Sequence, residues 1–193
     1  MKLEFDISVS KGFKNKTQIA RVLTENWVAS NIYCPSCGNE KLNAFPNNSP
    51  VADFYCVNCK SEYELKSKKD SFTSKIVDGA FDSMITRINA TNNPHFFFLN
   101  YSQLSLAVNN FLVIPKYYFI DDIIEMRKPL SSRAIRAGWI GCNILLDRIP
   151  ESGKIFLIRE SKILDRNMVI QNWSKTMFLS EQKKRVADGL LKL

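Results

Sequence analysis

Within VADFYCVNCKSEYELKSKKD, residues 51–70, Asp53, Glu64 and Lys66 follow the spacing D-x10-E-x-K. Short alternating segments on either side of VNCKS predict the two strands of a hairpin. Side chains two apart on a strand share a face, so Glu64 and Lys66 point together while Leu65 turns into the core. Asp53 reaches the same face from the paired strand. Two carboxylates and an ammonium over one sheet edge suit phosphodiester hydrolysis. That reaction needs hard oxygen ligands for Mg2+, a cation to offset charge on the phosphate, and a group that activates water. Asp53 and Glu64 would hold the metal with the backbone carbonyl of Leu65, and Lys66 would orient or deprotonate the attacking water. Acids and lysines on a solvent-facing strand also produce this pattern by chance, so its location has to carry the argument.

That location is set by cysteines. Cys34 and Cys37 form one C-x2-C pair, and Cys56 and Cys59 form another inside the hairpin turn. The spacing fits a tetrahedral four-thiolate centre, with zinc as the expected ion and iron able to use the same ligands. Four thiolates close the coordination sphere, which makes the ion structural. It would clamp the hairpin to the end of the preceding helix and so fix the geometry of the acids. Cys142 has no partner and is expected to pack beside a strand.

The elements that must position these groups follow from periodicity. Ile19, Val22, Leu23, Trp27 and Val28 recur at helical spacing over residues 14–33, with Asn15 or Thr17 as the cap. An irregular Asn- and Pro-rich loop follows. Residues 70–90 predict a second amphipathic helix through Ile76, Phe81, Met84, Ile85 and Ile88. HFFFLNYS, NNFLVIPK, CNILLDRI and GKIFLIRE predict strands, IDDIIEMRK a short helix, and residues from Met168 onward a terminal helix whose last dozen residues are polar enough to fray. The expected fold is α/β, with helices on a central mixed sheet.

With 193 residues, one domain is expected. The 27 Lys and Arg against 19 Asp and Glu give a net charge of +8, which favours an anionic partner, nucleic acid first. No bilayer-length apolar run or signal-type h-region is present, and the expected location is cytoplasmic. His95 is the only histidine, so chemistry needing two is excluded; it is expected simply to start a strand.

The blocks ARVLTENWV, YCPSCGN, NNSPVADFYCVNCKSEYELKSKK, NNPHFFFLNY, RKPL and RAGWIGCNI, in this order, resemble the DpnI-like, Dam-replacing family of methyl-directed restriction endonucleases, over residues 15 to 180. The resemblance implies a PD-(D/E)xK restriction-endonuclease-like domain with an inserted four-cysteine zinc site that cuts double-stranded GATC bearing N6-methyladenine. It carries the catalytic acids and lysine onto Asp53, Glu64 and Lys66, and the zinc ligands onto Cys34, Cys37, Cys56 and Cys59. The chain departs from the broader motif in that Val51 and Ala52 separate Pro50 from Asp53. Residues 1–180 are expected to form the nuclease domain and 181–193 a tail, without the family's winged-helix domain.

Arg127, Lys128, Arg133 and Arg136, with Lys68 and Lys69, are the candidate DNA contacts. Trp139 is read as a core anchor. Phosphate contacts of this kind give salt-sensitive affinity and leave base choice to a few groove contacts. The chain would act as a monomer or as a transient dimer on DNA. A reading of a different class is a zinc-stabilised DNA-binding module without catalysis, in which the acids are incidental.

Overall fold

The computed structural model describes residues 1–46, 52–69, 71–72 and 74–187, with side chains as far as 181. Pro50 and Val51, and residues 188–193 of the expected tail, lie outside this set. The chain forms a mixed α/β fold. Helix α1, Lys16–Asn31, starts where the Asn15 side chain accepts hydrogen bonds from the amides of Thr17 and Gln18, so Asn15 is the cap. Strands β1 (Asn43–Ala44), β2 (Phe54–Tyr55) and β3 (Glu62–Lys69) follow as an antiparallel ribbon. Then come β4 (Lys75–Ala80), α2 (Phe81–Asn89), β5 (His95–Ser102), β6 (Ala107–Ile114), β7 (Ile124–Met126), β8 (Gly141–Leu145), β9 (Ile155–Arg159), β10 (Lys162–Ile163) and α3 (Arg166–Ala187).

Seven strands make one mixed sheet in the order β1-β2-β3-β5-β6-β9-β10, with β3 and β5 parallel. A second, antiparallel sheet has the order β4-β8-β7. The run HFFFL explains how the layers join. Phe97 and Leu99 enter a core with Trp27 and Val28 of α1 and Trp173 of α3, while Phe96 and Phe98 enter a second core with Met84 and Ile88 of α2 and Ile144 of β8. A strand covered on both faces reads as a continuous apolar run rather than an alternation. Each such fully buried phenylalanine contributes about 2–3 kcal/mol of apolar burial.

Three expectations need correction. The helix expected over 70–90 begins only at Phe81, because Lys75–Ala80 pairs with β8 as a strand and is interrupted by a bulge between Asp78 and Ala80. The short helix expected at IDDIIEMRK is a 3-10 turn over Asp121–Ile123 followed by β7, which borders β8. Trp139 is half-buried rather than a core anchor. Cys142 is fully buried in the second core, as expected of a packing residue. Among the described residues no helix is long and apolar enough to cross a membrane.

Candidate active site

The four cysteines converge where α1 ends and the β2–β3 turn folds back. The Sγ atoms of Cys34 and Cys59 are 3.6 Å apart, as are those of Cys37 and Cys56, and all four lie within 4.8 Å of one another. A tetrahedral ion with Zn–S of about 2.3 Å requires S···S edges of about 3.8 Å, so these thiols could hold zinc. Each pair is shaped by one tight turn. The Gly38 amide donates to the Cys34 carbonyl and the Lys60 amide to the Cys56 carbonyl, and both residues take positive φ, 76° and 61°. Burial pushes the Cys34 thiol well up, with the Tyr63 hydrogen bond opposing, whereas at Cys59 burial is outweighed by hydrogen bonding to Ser61 and the value falls to about 6. Such a set, partly poised as thiolate, suits a soft cation.

The four-cysteine knuckle is tied down on three sides. The Tyr63 hydroxyl lies 3.1 Å from Cys34 Sγ, the Asn58 amide donates to Cys37 Sγ at 3.5 Å, and the Arg166 guanidinium of α3 donates to the Gly38 carbonyl while lying over the Tyr33 ring.

On the opposite face of β3 lies a cavity of about 650 Å3. Asp53, Glu64 and Lys66 line it together, so the structure brings the three sequence-derived residues into one cleft. Asp53 precedes β2. Its amide donates to the Tyr63 carbonyl at 3.0 Å, and its Oδ2 accepts from the Leu65 amide at 2.7 Å, which fixes the carboxylate against β3. Burial raises the Asp53 pKa, partly opposed by that amide and by the charges of Lys66 and Arg21. Lys66 Nζ lies 2.6 Å from Glu64 Oε1. Burial works against the charged form of Lys66, but the carboxylates around it win and its pKa is raised.

One of those carboxylates is not marked by the sequence. Asp78 of β4 lies 2.8 Å from Lys66 Nζ and lines the same cleft. It falls inside the segment whose apolar spacing predicts a helix, and nothing local singles it out. Glu25 of α1 also acts on Asp53 and is itself paired with Arg21 at 2.6 Å. Helix α2 forms the far wall of the cleft through Ser83, Thr86 and Arg87.

The basic candidates divide between two places. Lys68 shares the β3 face of Glu64 and Lys66, whereas Lys69 points the other way. Arg127, Lys128, Arg133 and Arg136 are exposed on the loop that joins β7 to β8. This loop is a continued hairpin: the Arg127 amide donates to the Gly141 carbonyl, the Leu130 amide to Trp139, and the Gly138 amide to Leu130. Arg136 lies over the Trp139 ring at 4.9 Å, and Ile135 is fully exposed near the tip. Its base borders the cleft, because Gly141 pairs with Ala80 and the Ile140 carbonyl accepts from the first amide of α2. Residues 127–140 contain four basic side chains and no acid, so a cationic arm rises beside an acid-lined cleft.

Residues 1–182 match the sequence model of the DpnI, Dam-replacing family. The match takes in both cysteine pairs, the cleft, the basic hairpin and most of α3. The chain therefore belongs to the DpnI, Dam-replacing family, and is a DNA-binding nuclease of the restriction-endonuclease kind.

Proposed function

We propose that this protein is a type II methyl-directed restriction endonuclease of PD-(D/E)xK type, which uses Mg2+ to hydrolyse double-stranded DNA at GATC carrying N6-methyladenine. The observation that carries this reading is the meeting of Asp53, Glu64 and Lys66 in one cleft beside a cationic hairpin. A pure DNA binder gains nothing from carboxylates turned toward phosphate, which repel it.

Asp53, Glu64 and the Leu65 carbonyl would hold Mg2+, which supplies Lewis acidity and a more acidic bound water. The Leu65 amide holds Asp53 in place, and the Lys66 ammonium orients the nucleophilic water while offsetting charge on the phosphate. Cys34, Cys37, Cys56 and Cys59 hold structural zinc and take no part in the chemistry. Arg127, Lys128, Arg133, Arg136, Lys68 and Lys69 contact the DNA backbone. Residues 1–180 serve as the nuclease domain with its zinc site included.

The test is digestion of one GATC-bearing plasmid, methylated or unmethylated, with Mg2+ and beside an Asp53→Ala control. Cutting of the methylated plasmid alone, lost in the variant, is expected. Binding without cutting at any enzyme concentration would overturn the reading in favour of a non-catalytic zinc-stabilised module.

A further inference from the structure

We infer that Asp78 is a positioning residue, which aims the Lys66 ammonium at the scissile phosphate and links the second sheet to the reaction centre. The chemistry in this inference rests on the nuclease reading; the clamp itself does not.

A lysine side chain is a flexible stem with three donors at its tip. Glu64 takes one of them at 2.6 Å and Asp78 another at 2.8 Å, which leaves a single donor for the cleft. The two carboxylates come from different sheets, Glu64 from β3 and Asp78 from β4, so together they fix the ammonium in two directions. The Lys66 and Asp78 side chains are only 17% and 14% exposed, and burial of this kind makes a charge-assisted hydrogen bond stiff and expensive to break. The β4 bulge lies directly after Asp78, and a bulge re-aims the side chains beside it. Glu64 is also a candidate metal ligand. When its oxygens are shared with a cation, Asp78 Oδ1 remains as the hydrogen-bond partner that holds Lys66.

The experiment uses the full chain with Asp78→Ala and Asp78→Asn. Steady-state cutting of methylated plasmid is expected to show kcat lowered by about 10- to 100-fold in Asp78→Ala, the range of one charge-assisted hydrogen bond, with KM for DNA within about twofold of wild type. Asp78→Asn keeps the shape and a hydrogen-bonding oxygen, and should retain more activity. A second readout does not depend on cutting. Under limited reductive methylation mapped by mass spectrometry, Lys66 should label several-fold faster in Asp78→Ala, with Lys68 and Lys69 as internal references. Unchanged kcat, a rise in KM matching the fall in kcat, or unchanged Lys66 labelling would each overturn the inference. If Asp78→Ala does not fold, Asp78→Asn decides by the same two readouts. A wild-type protein that cuts no DNA would refute the nuclease reading, and labelling would still decide the clamp.

Discussion

His95 gives the sharpest test of the core because no other histidine titrates in this chain. It opens β5 opposite Tyr63, with its ring 4.7 Å from Trp173 and its Nδ1 accepting the Lys116 amide. Burial, reinforced by the Lys116 charge, lowers its pKa to about 3. An unfolded histidine titrates near 6.5, so as pH falls the unfolded chain takes up this proton long before the folded one does. Stability from this residue is complete above pH 6.5 and is lost progressively down to pH 3. Between pH 6.5 and pH 5 the unfolded state gains about 1.7 kcal/mol from proton uptake while the folded state gains almost nothing. That equals roughly 3–7 °C in Tm for a chain of this size.

The perturbation is His95→Asn, whose Oδ1 can still accept from Lys116 but cannot bind the proton. Urea unfolding of both proteins at pH 6.5 and pH 5 measures the difference in stability at each pH. Carboxylates and thiols common to both chains cancel in that difference. The gap should move by about 1.7 kcal/mol in favour of the variant as pH falls. A gap that stays constant to within about 0.5 kcal/mol would refute the buried neutral imidazole.

Zinc should be found at one ion per chain by chelator absorbance after denaturation. Cys37→Ser should lower that stoichiometry and reduce Tm by about 10 °C, the shift produced by ~3 kcal/mol at this size; full occupancy at unchanged Tm would contradict a structural centre. Arg133→Ala should weaken DNA binding alike for different sequences and flatten the logarithmic salt dependence by about 0.9, as loss of one phosphate contact requires, and unchanged affinity by fluorescence anisotropy would remove Arg133 from the interface. A Cβ at Gly141 would come within 2.8 Å of the Trp139 ring. Gly141→Ala should therefore displace the aromatic that carries Arg136 and lower DNA affinity several-fold with zinc content intact, and a wild-type binding isotherm would show that the hairpin base does not set the interface.

The features legible in the sequence are those whose cause is local. Asn15 caps α1 because its side chain meets amides two and three residues away, and each C-x2-C pair is its own turn. The β5 run is legible because burial on both faces writes itself as HFFFL. Asp78 and β4 are hidden for the opposite reason. Ile76, Phe81, Met84, Ile85 and Ile88 fit one helical stripe, and only pairing with β8, more than sixty positions away, decides that Ile76 belongs to a strand. Trp139 misleads in the same way. Its apolar neighbours Ile140 and Ile144 lead into the second core, but the hairpin turns the ring out to stack with Arg136. A bulge and a hairpin excursion are tertiary choices, and neither changes local composition enough to be read.

Tyr63 explains why a four-cysteine knuckle and a cleft of hard oxygens occupy one hairpin. Its hydroxyl meets Cys34 Sγ at 3.1 Å, and its carbonyl accepts the Asp53 amide at 3.0 Å. The next residue, Glu64, points to the other face by strand alternation. One strand residue therefore touches the cysteine cluster with its side chain and sets an acid of the cleft with its backbone. Cys56 and Cys59 close the turn between Asp53 and Glu64, so an ion among the thiols would limit how far the two acids can drift apart. The knuckle is in turn anchored to α1 through Cys34 and to α3 through Arg166, the two helices that cover the first core. A two-residue strand such as β2 is by itself a slight frame for an acid of the cleft. Four cysteines holding one ion would stiffen that frame without placing a competing cation in the cleft.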